Sequence, residues 1–354
     1  MNYNRWVVNP LKEIGLFMRR KGIAILLILG LALFLQACSG GTEALPELDQ
    51  PIKLKVSIRQ NTGYAPLYIA QEEGFFAEQG LDVEFVAPPR SAEAIAALLL
   101  GEIDVHAAAL NIGMFNAMAQ GEPVKMVANK GYFDPQGCSY FALVARQDLY
   151  DSGEVVSPAD LVGRVMAVKT DNFQAYITDA AMKMHGFSLT DIQANDMPTS
   201  AILAALDEKS VDATFRGEPQ LSQDKNLGLG EKIIGGEQVL PNFAFGFIMF
   251  GPSILEDDPE AGNRFMLAYL HGVRQYNEGK TERNLDILEK ATELDRELLE
   301  QACWPPMTLD GVMDLESLHD FQMWAADKGL LDNIATEDQF WDSQFIDYAN
   351  GRLP

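Results

Sequence analysis

Tyr68-Ile69, Leu81, Ala96-Ala97-Leu98 and Ile103-Asp104 return 108 residues later as Tyr176-Ile177, Leu189, Ala204-Ala205-Leu206 and Val211-Asp212. Short identities arise by chance, but a single ungapped offset and a shared order of elements are harder to dismiss. In each copy an apolar strand (54–58, then 165–168) leads through a polar loop (60–66, then 169–174) into a helix (67–79, then 175–185). A short strand follows, then a helix rich in small residues (91–100, then 200–208), with Ser91 and Ser200 placed as N-caps. An Asp then opens a further apolar strand. Alternating strands and helices predict parallel sheets with helices on both faces, so the chain reads as α/β with two Rossmann-like domains. Such sheets bind ligands beyond the carboxyl ends of their strands, and two facing ends make a cleft. The loops 61–66 and 169–174 are its expected lips.

Between the copies, 140–145 reads as a strand followed by an acidic turn at 147–154. After the second copy, 243–250 reads as a strand bounded by Pro241 and Gly251-Pro252. These two strands are the expected crossings between domains. The remainder reads as helix, at 259–277, 284–294, 315–327 and 338–349. The expected organisation is an export signal at 1–37, a Gly- and acid-rich tether at 38–51, a first lobe from 52–142 plus 246–354, and a second lobe at 143–245.

Arg19-Arg20-Lys21 precede an uncharged apolar run, 22–35, that ends in Leu35-Gln36-Ala37-Cys38. A positive start, a short apolar run and a small residue before a cut describe an export signal. Leu-x-Ala-Cys resembles the bacterial lipobox, which implies that Cys38 is lipidated and becomes the new N-terminus. The run is short for a span of ~20 residues, and Ser39-Gly40-Gly41 carries no stop-transfer charge. Met18 would make a normal signal start, which leaves 1–17 superfluous. The expected location is therefore the outer face of the bacterial cell membrane, held there by lipid.

The chain carries 27 Lys+Arg and 51 Asp+Glu, a net charge of −24. Residues 1–37 hold five basic groups and one acid, so the chain without them stands at −28. That charge excludes a nucleic-acid partner, whose phosphates demand Lys and Arg. It also leaves lipid, rather than surface charge, to hold the chain at a membrane. Anionic solutes would be repelled at long range unless local basic groups offset the field. About 300 residues follow the anchor, more than one core organises. With Cys38 lipidated, Cys138 and Cys303 remain; an exported setting permits a bridge, but nothing in the sequence shows that they meet.

The first copy reads Gly63-Tyr64-Ala65-Pro66-Leu67-Tyr68-Ile69-Ala70, then Gly74-Phe75-Phe76 and Gly80-Leu81-Asp82-Val83-Glu84. This string resembles the opening of ABC-importer binding proteins for sulfonates, taurine, nitrate and thiamine-pyrimidine precursors. Further matches stand at Leu100-Gly101-Glu102-Ile103-Asp104-Val105, Ser157-Pro158-Ala159-Asp160-Leu161-Val162-Gly163, Gly217-Glu218-Pro219 and Lys328-Gly329-Leu330-Leu331. The resemblance covers about residues 52–348. It implies a two-lobed type II periplasmic-binding-protein fold with two crossing strands, closing around one small molecule. It looks closest to the vitamin-binding branch, taking thiamine pyrimidines or riboflavin.

Carried over by position, the resemblance assigns Asn61, Thr62, Tyr64 and the loop Leu110-Asn111-Ile112 to the first side of the cleft. The second side receives Thr170, Asn172, Phe173, Thr199 and the turn holding Arg216 and Glu218. Asn and Thr beside helix N-termini hold polar ligand atoms, while free backbone N–H groups take anionic ones. Tyr64 and Phe173 either stack on a flat ligand or pack in their lobes. Phe243, Phe245 and Phe247 alternate along one strand and share a face, where core packing is the default. Arg216 and Glu218 either face the cleft together or belong to a surface ion pair. Lys169 is the other basic group at a lip, and with Arg216 it would permit a sulfonate or nitrate. The lack of a dense basic cluster and the net charge favour a neutral heterocycle.

Catalytic signatures are scarce in the chain. His106, His185, His271 and His319 lack metal-ligand spacing, and no Gly-x-Ser-x-Gly elbow occurs. Gly279-Lys280-Thr281 mimics a P-loop end, but Arg274 stands where its first Gly belongs. Glu256-Asp257-Asp258 reads as the cap of the helix that follows. Fungal relatives that make thiamine pyrimidine carry a Cys-rich iron-site run, where this chain has only Cys138. The expectation is a monomeric solute receptor with no catalytic residue, cofactor or metal, serving an ABC permease and its ATPase. Its cargo is a small heteroaromatic vitamin or precursor. The alternatives are a receptor for aliphatic sulfonate, taurine or nitrate, an extracytoplasmic enzyme on the same fold, and a sensory or structural lipoprotein.

Overall fold

A computed structural model of the chain describes residues 48–88 and 93–353. The export signal, Cys38, most of the tether and Ser91 lie outside them. Among the described residues the strands are β1 (Ile52–Ser57), β2 (Leu81–Val86), β3 (Val105–Ala109), β4 (Lys125–Tyr132), β5 (Phe141–Arg146), β6 (Val165–Ala167), β7 (Gln193–Asn195), β8 (Ala213–Gly217), β9 (Gly230–Gly235) and β10 (Ala244–Phe250). They form two five-stranded sheets with one plan, β2-β1-β3-β10-β4 and β7-β6-β8-β5-β9. The repeat seen in the sequence is thus a repeat of topology.

Neither sheet is wholly parallel. β10 runs antiparallel to β3 and β4, and β5 runs antiparallel to β8 and β9. These are the first strands after each passage between lobes. A strand that arrives directly from the other lobe has no helical crossover to force it parallel. Each also belongs wholly to one sheet, so the passages are 133–140 and 236–243. The expected boundaries, 142/143 and 245/246, fall inside β5 and β10 instead. Every residue of β10 is buried, as suits an apolar strand inside a sheet covered on both faces.

The echoed aspartates have matched structural work. Asp104 Oδ2 accepts from the Lys55 backbone N–H at 2.8 Å, and Asp212 Oδ2 from that of Val165 at 3.0 Å. Each Asp N–H donates back to the same residue's carbonyl, at 3.0 and 2.8 Å respectively. Each carboxylate thereby fastens the strand beside it at the sheet's entry edge.

Helix boundaries depart from expectation where backbone chemistry intervenes. Gly74, at φ 82°, splits the first helix into Ala65–Glu72 and Phe75–Glu78. The helix expected at 200–208 starts at Thr199 behind Pro198, which leaves Ser200 inside the first turn rather than capping it. The acidic turn contains a short helix, Gln147–Asp151. Asp258 caps Pro259–Tyr276 and Thr281 caps Glu282–Thr292. The last expected helix divides into Glu337–Phe340 and Gln344–Asn350. No helix among the described residues is long and apolar enough to cross a membrane.

Cys138 and Cys303 form a disulfide, with S–S 1.99 Å and Cα–Cα 5.7 Å. It joins the first passage to the segment that follows the helix Arg296–Gln301.

Candidate functional site

Strands β6 and β8 end beside the first passage, and a cavity of about 140 Å³ lies there. Tyr140, Phe141 and Phe215 supply its aromatic surface; Asn61, Lys169, Gln174, Thr199, Arg216, Glu218 and Gln220 supply its polar surface. Its volume is below the ~300 Å³ of ordinary drug-sized pockets, close to a cavity that admits benzene. Gly217 makes room for the aromatics: a Cβ there would stand 2.4 Å from Phe141 Cε1.

Five residues expected at the cleft line this cavity: Asn61, Lys169, Thr199, Arg216 and Glu218. Asn61 comes from the first lobe, where its Oδ1 accepts from the Gly63 N–H at 2.9 Å and shapes the lip. Arg216 and Asp224 form a two-pronged buried pair, with Nε and Nη2 both on the carboxylate. They are 2% and 0% exposed, and the third guanidinium nitrogen, Nη1, has no partner among the described residues. Lys169 Nζ pairs with Asp196 at 3.0 Å. Both basic groups at the cavity are therefore already neutralised by carboxylates.

Glu218, 6% exposed, has no cationic partner within ion-pair distance among the described residues. Its Oε1 accepts from Ser222 Oγ at 2.9 Å and from the Cys303 N–H at 3.2 Å. Its Oε2 accepts from the Ser222 N–H at 3.0 Å. Burial pushes the carboxyl pKa up, and these donors hold it back.

The other expected residues lie elsewhere. Thr62 is buried behind the lip, and Thr170 is exposed without lining the cavity. Tyr64 is buried with Lys130 Nζ 4.1 Å over its ring, and burial pushes its phenol up to about 12. Phe173 packs against Phe141 at 5.0 Å and Phe215 at 5.8 Å, forming a layer behind the cavity. Phe243 meets Tyr176 and Phe321 in the core rather than the cavity.

Asn111 and Asn172 cap helices, accepting from the N–H groups of Met114 and Gln174. They also form an antiparallel backbone bridge between the lobes. Ile112 N–H donates to Asp171 O at 3.2 Å, and Phe173 N–H to Leu110 O at 3.4 Å. The helix N-termini expected to hold an anion thus hold one another.

Tyr140, Phe141, Phe215 and Gln220 were not singled out from sequence, whereas Gln174 closes the expected lip 169–174. Gly217 between Arg216 and Glu218 was the available signal for the aromatics, since a glycine at a strand end marks close approach.

Residues 61–278, more than half of the chain, match the family described as NMT1/THI5 like. The chain belongs to the NMT1/THI5-like family. A formylaminopyrimidine-binding protein of Halalkalibacterium halodurans is 31% identical over 143 residues. That match spans 40% of this chain and 40% of the relative's length. The alkanesulfonate-binding protein SsuA of Xanthomonas axonopodis pv. citri, solved with bound MOPS, superposes with a TM-score of 0.66 at 15% identity, over 83% of this chain and 99% of that one. The aliphatic sulphonate binding protein SsuA of Escherichia coli gives 0.67 at 17%, over 83% and 94%. At such identities the likeness establishes the fold: this NMT1/THI5-like chain has the two-lobed architecture of periplasmic binding proteins.

Proposed function

We propose that this chain is an exported solute receptor of an ABC importer, and that its cargo is a compact aminopyrimidine of the thiamine-precursor class. The observation that carries the reading is the charge balance of the cavity. Arg216 is neutralised by Asp224 and Lys169 by Asp196, which leaves Glu218, with Lys280 acting from the rear but no ion-pair partner among the described residues, as the carboxylate beside the aromatic walls. An anion entering there would meet a carboxylate; a neutral or cationic heterocycle meets an acceptor for its amino group. Arg216 lines the cavity and keeps one guanidinium nitrogen, Nη1, without a partner among the described residues, a donor left for a ring nitrogen. Tyr140, Phe141 and Phe215 offer faces or edges for stacking. The volume suits one ring with short substituents and sets a three-ring flavin aside. The 31%-identical relative adds weight in the same direction.

The lobes close on cargo by a hinge motion about 133–140 and 236–243, and the receptor hands its cargo unchanged to a permease with its ATPase. Cys38 carries the lipid that keeps it at the membrane. Calorimetry and thermal shift against an aminopyrimidine, riboflavin, taurine and nitrate test the cargo. A ligand at 100 Kd stabilises by about 2.7 kcal/mol, and that is expected for the aminopyrimidine. Stabilisation by taurine or nitrate alone overturns the reading, and turnover of the bound compound overturns the assignment as a receptor. Cys38→Ala is expected to move the protein out of the membrane fraction.

A further inference from the structure

Glu218 sits in a closed ring of links drawn from three distant parts of the chain. Its own N–H donates to Tyr140 O at 2.9 Å, and its Oε1 accepts from the Cys303 N–H at 3.2 Å. Cys138, two residues before Tyr140, is bonded to Cys303. The circuit runs from Glu218 through Tyr140 and Cys138, across the disulfide to Cys303, and back to the carboxylate. The Cys303 segment is rooted in the first lobe, where Tyr132 N–H donates to Pro306 O and Asn129 N–H to Gly311 O. Glu218 itself follows β8 of the second lobe.

Glu218 also divides two cavities. One is the cleft; the other, about 310 Å³, lies behind it and is bordered by Ser139, Ser222, Lys280 and the disulfide. The groups facing Glu218 are Lys280 and Ser222 from the rear side and the Tyr140 phenol from the passage, and Arg216 lines the cleft cavity with it.

We propose that the Cys138–Cys303 disulfide is a positioning device for the cargo: it holds the Cys303 N–H that orients Glu218, and so sets how this carboxylate meets an amino group in the cleft. The inference rests on the aminopyrimidine reading for the identity of the cargo, but not for the geometry of the ring. The disulfide fixes one of three donors on a buried carboxylate. Releasing it leaves Ser222 to hold the group, and a buried carboxylate with fewer donors binds its proton more tightly. A protonated carboxyl is a poorer acceptor for the cargo's N–H.

The test compares binding of 4-amino-2-methylpyrimidine with binding of 2-methylpyrimidine, which lacks the amino group. The proteins are wild type, Cys138→Ser/Cys303→Ser, and wild type reduced with dithiothreitol. In the last arm dithiothreitol gives two electrons and two protons to the bridge, closes into its own cyclic disulfide and leaves two thiols, so the comparison survives if the variant does not fold. Losing the bridge is expected to weaken the aminopyrimidine about tenfold and the amino-free ring less than about twofold. In a Glu218→Gln background, losing it is expected to change neither affinity further. Equal weakening of both rings, or an undiminished loss in the Gln background, overturns the proposal. If wild type binds neither ring, the cargo reading fails and the Glu218 carboxyl ¹³C resonance, assigned by its absence in Glu218→Gln, decides instead. Its titration midpoint is expected to rise without the bridge; an unmoved midpoint overturns the positioning role.

Discussion

Each lobe buries a cation near the cleft and solves the problem differently. In the second lobe, Arg216 is locked to Asp224, and the pair is almost wholly removed from solvent. In the first lobe, Lys130 is 5% exposed and has no carboxylate partner among the described residues. Its Nζ donates to Gly63 O at 3.3 Å and lies over Tyr64. A guanidinium cannot shed its proton and must be paired, whereas an ammonium can become neutral. Burial, with the Arg59 charge adding to it, pulls Lys130 down to about 7. The second lobe therefore presents a fixed donor, while the lip of the first lobe rests on a group that titrates.

Breaking the fixed side has the largest expected effect. Asp224→Ala strands a buried guanidinium and should cost about 3–5 kcal/mol in urea unfolding. Arg216→Met/Asp224→Leu removes both charges and should recover most of that stability while cargo affinity stays lost. If the single variant costs less than about 1 kcal/mol, Arg216 is hydrated rather than locked, and the contrast between lobes collapses.

The titrating side is sharpened by pH. Lys130 has a folded pKa of about 7 against an ordinary value of 10.5. Between those values the unfolded chain holds more protons, so this group makes stability rise as pH rises. Below about pH 7 it is protonated in both states, and its contribution is flat. Lys130→Met should remove that slope from a series of urea midpoints between about pH 7 and about pH 10. An unchanged slope would show that Lys130 is already solvated.

Smaller effects are expected where both lobes use the same device. Asn111→Ala and Asn172→Ala each remove a helix cap and should cost about 1 kcal/mol. Lys169→Ala breaks a half-exposed pair and should change stability by no more than about 1 kcal/mol. A larger loss at Lys169 would mean that the second lobe's lip depends on its charge after all.

The two-sheet plan was legible because a repeated order of elements survives in local pattern: apolar runs, turns and an Asp at a fixed place. Direction within the sheets was not. β5 and β10 look like any apolar strand, and their antiparallel sense depends on where the chain comes from. Asn111 and Asn172 were rightly placed beside helix starts, but sequence does not reveal what faces a helix start, and here it is the other lobe. The bridge between Cys138 and Cys303 spans 165 residues, so its existence depends on tertiary approach. Tyr140, Phe141 and Phe215 resemble core aromatics until the passage brings them beside Glu218.

The Asn111–Asn172 bridge also bears on how the proposed receptor would let go. Its two flanking N–H groups trade a carbonyl of the opposite lobe for water when the lobes part, an exchange worth only about 1–3 kcal/mol in total. These two bonds therefore add only a modest step to any opening, beside the contacts of Tyr176 with Phe321 and of Asp179 with Trp324 and Lys328.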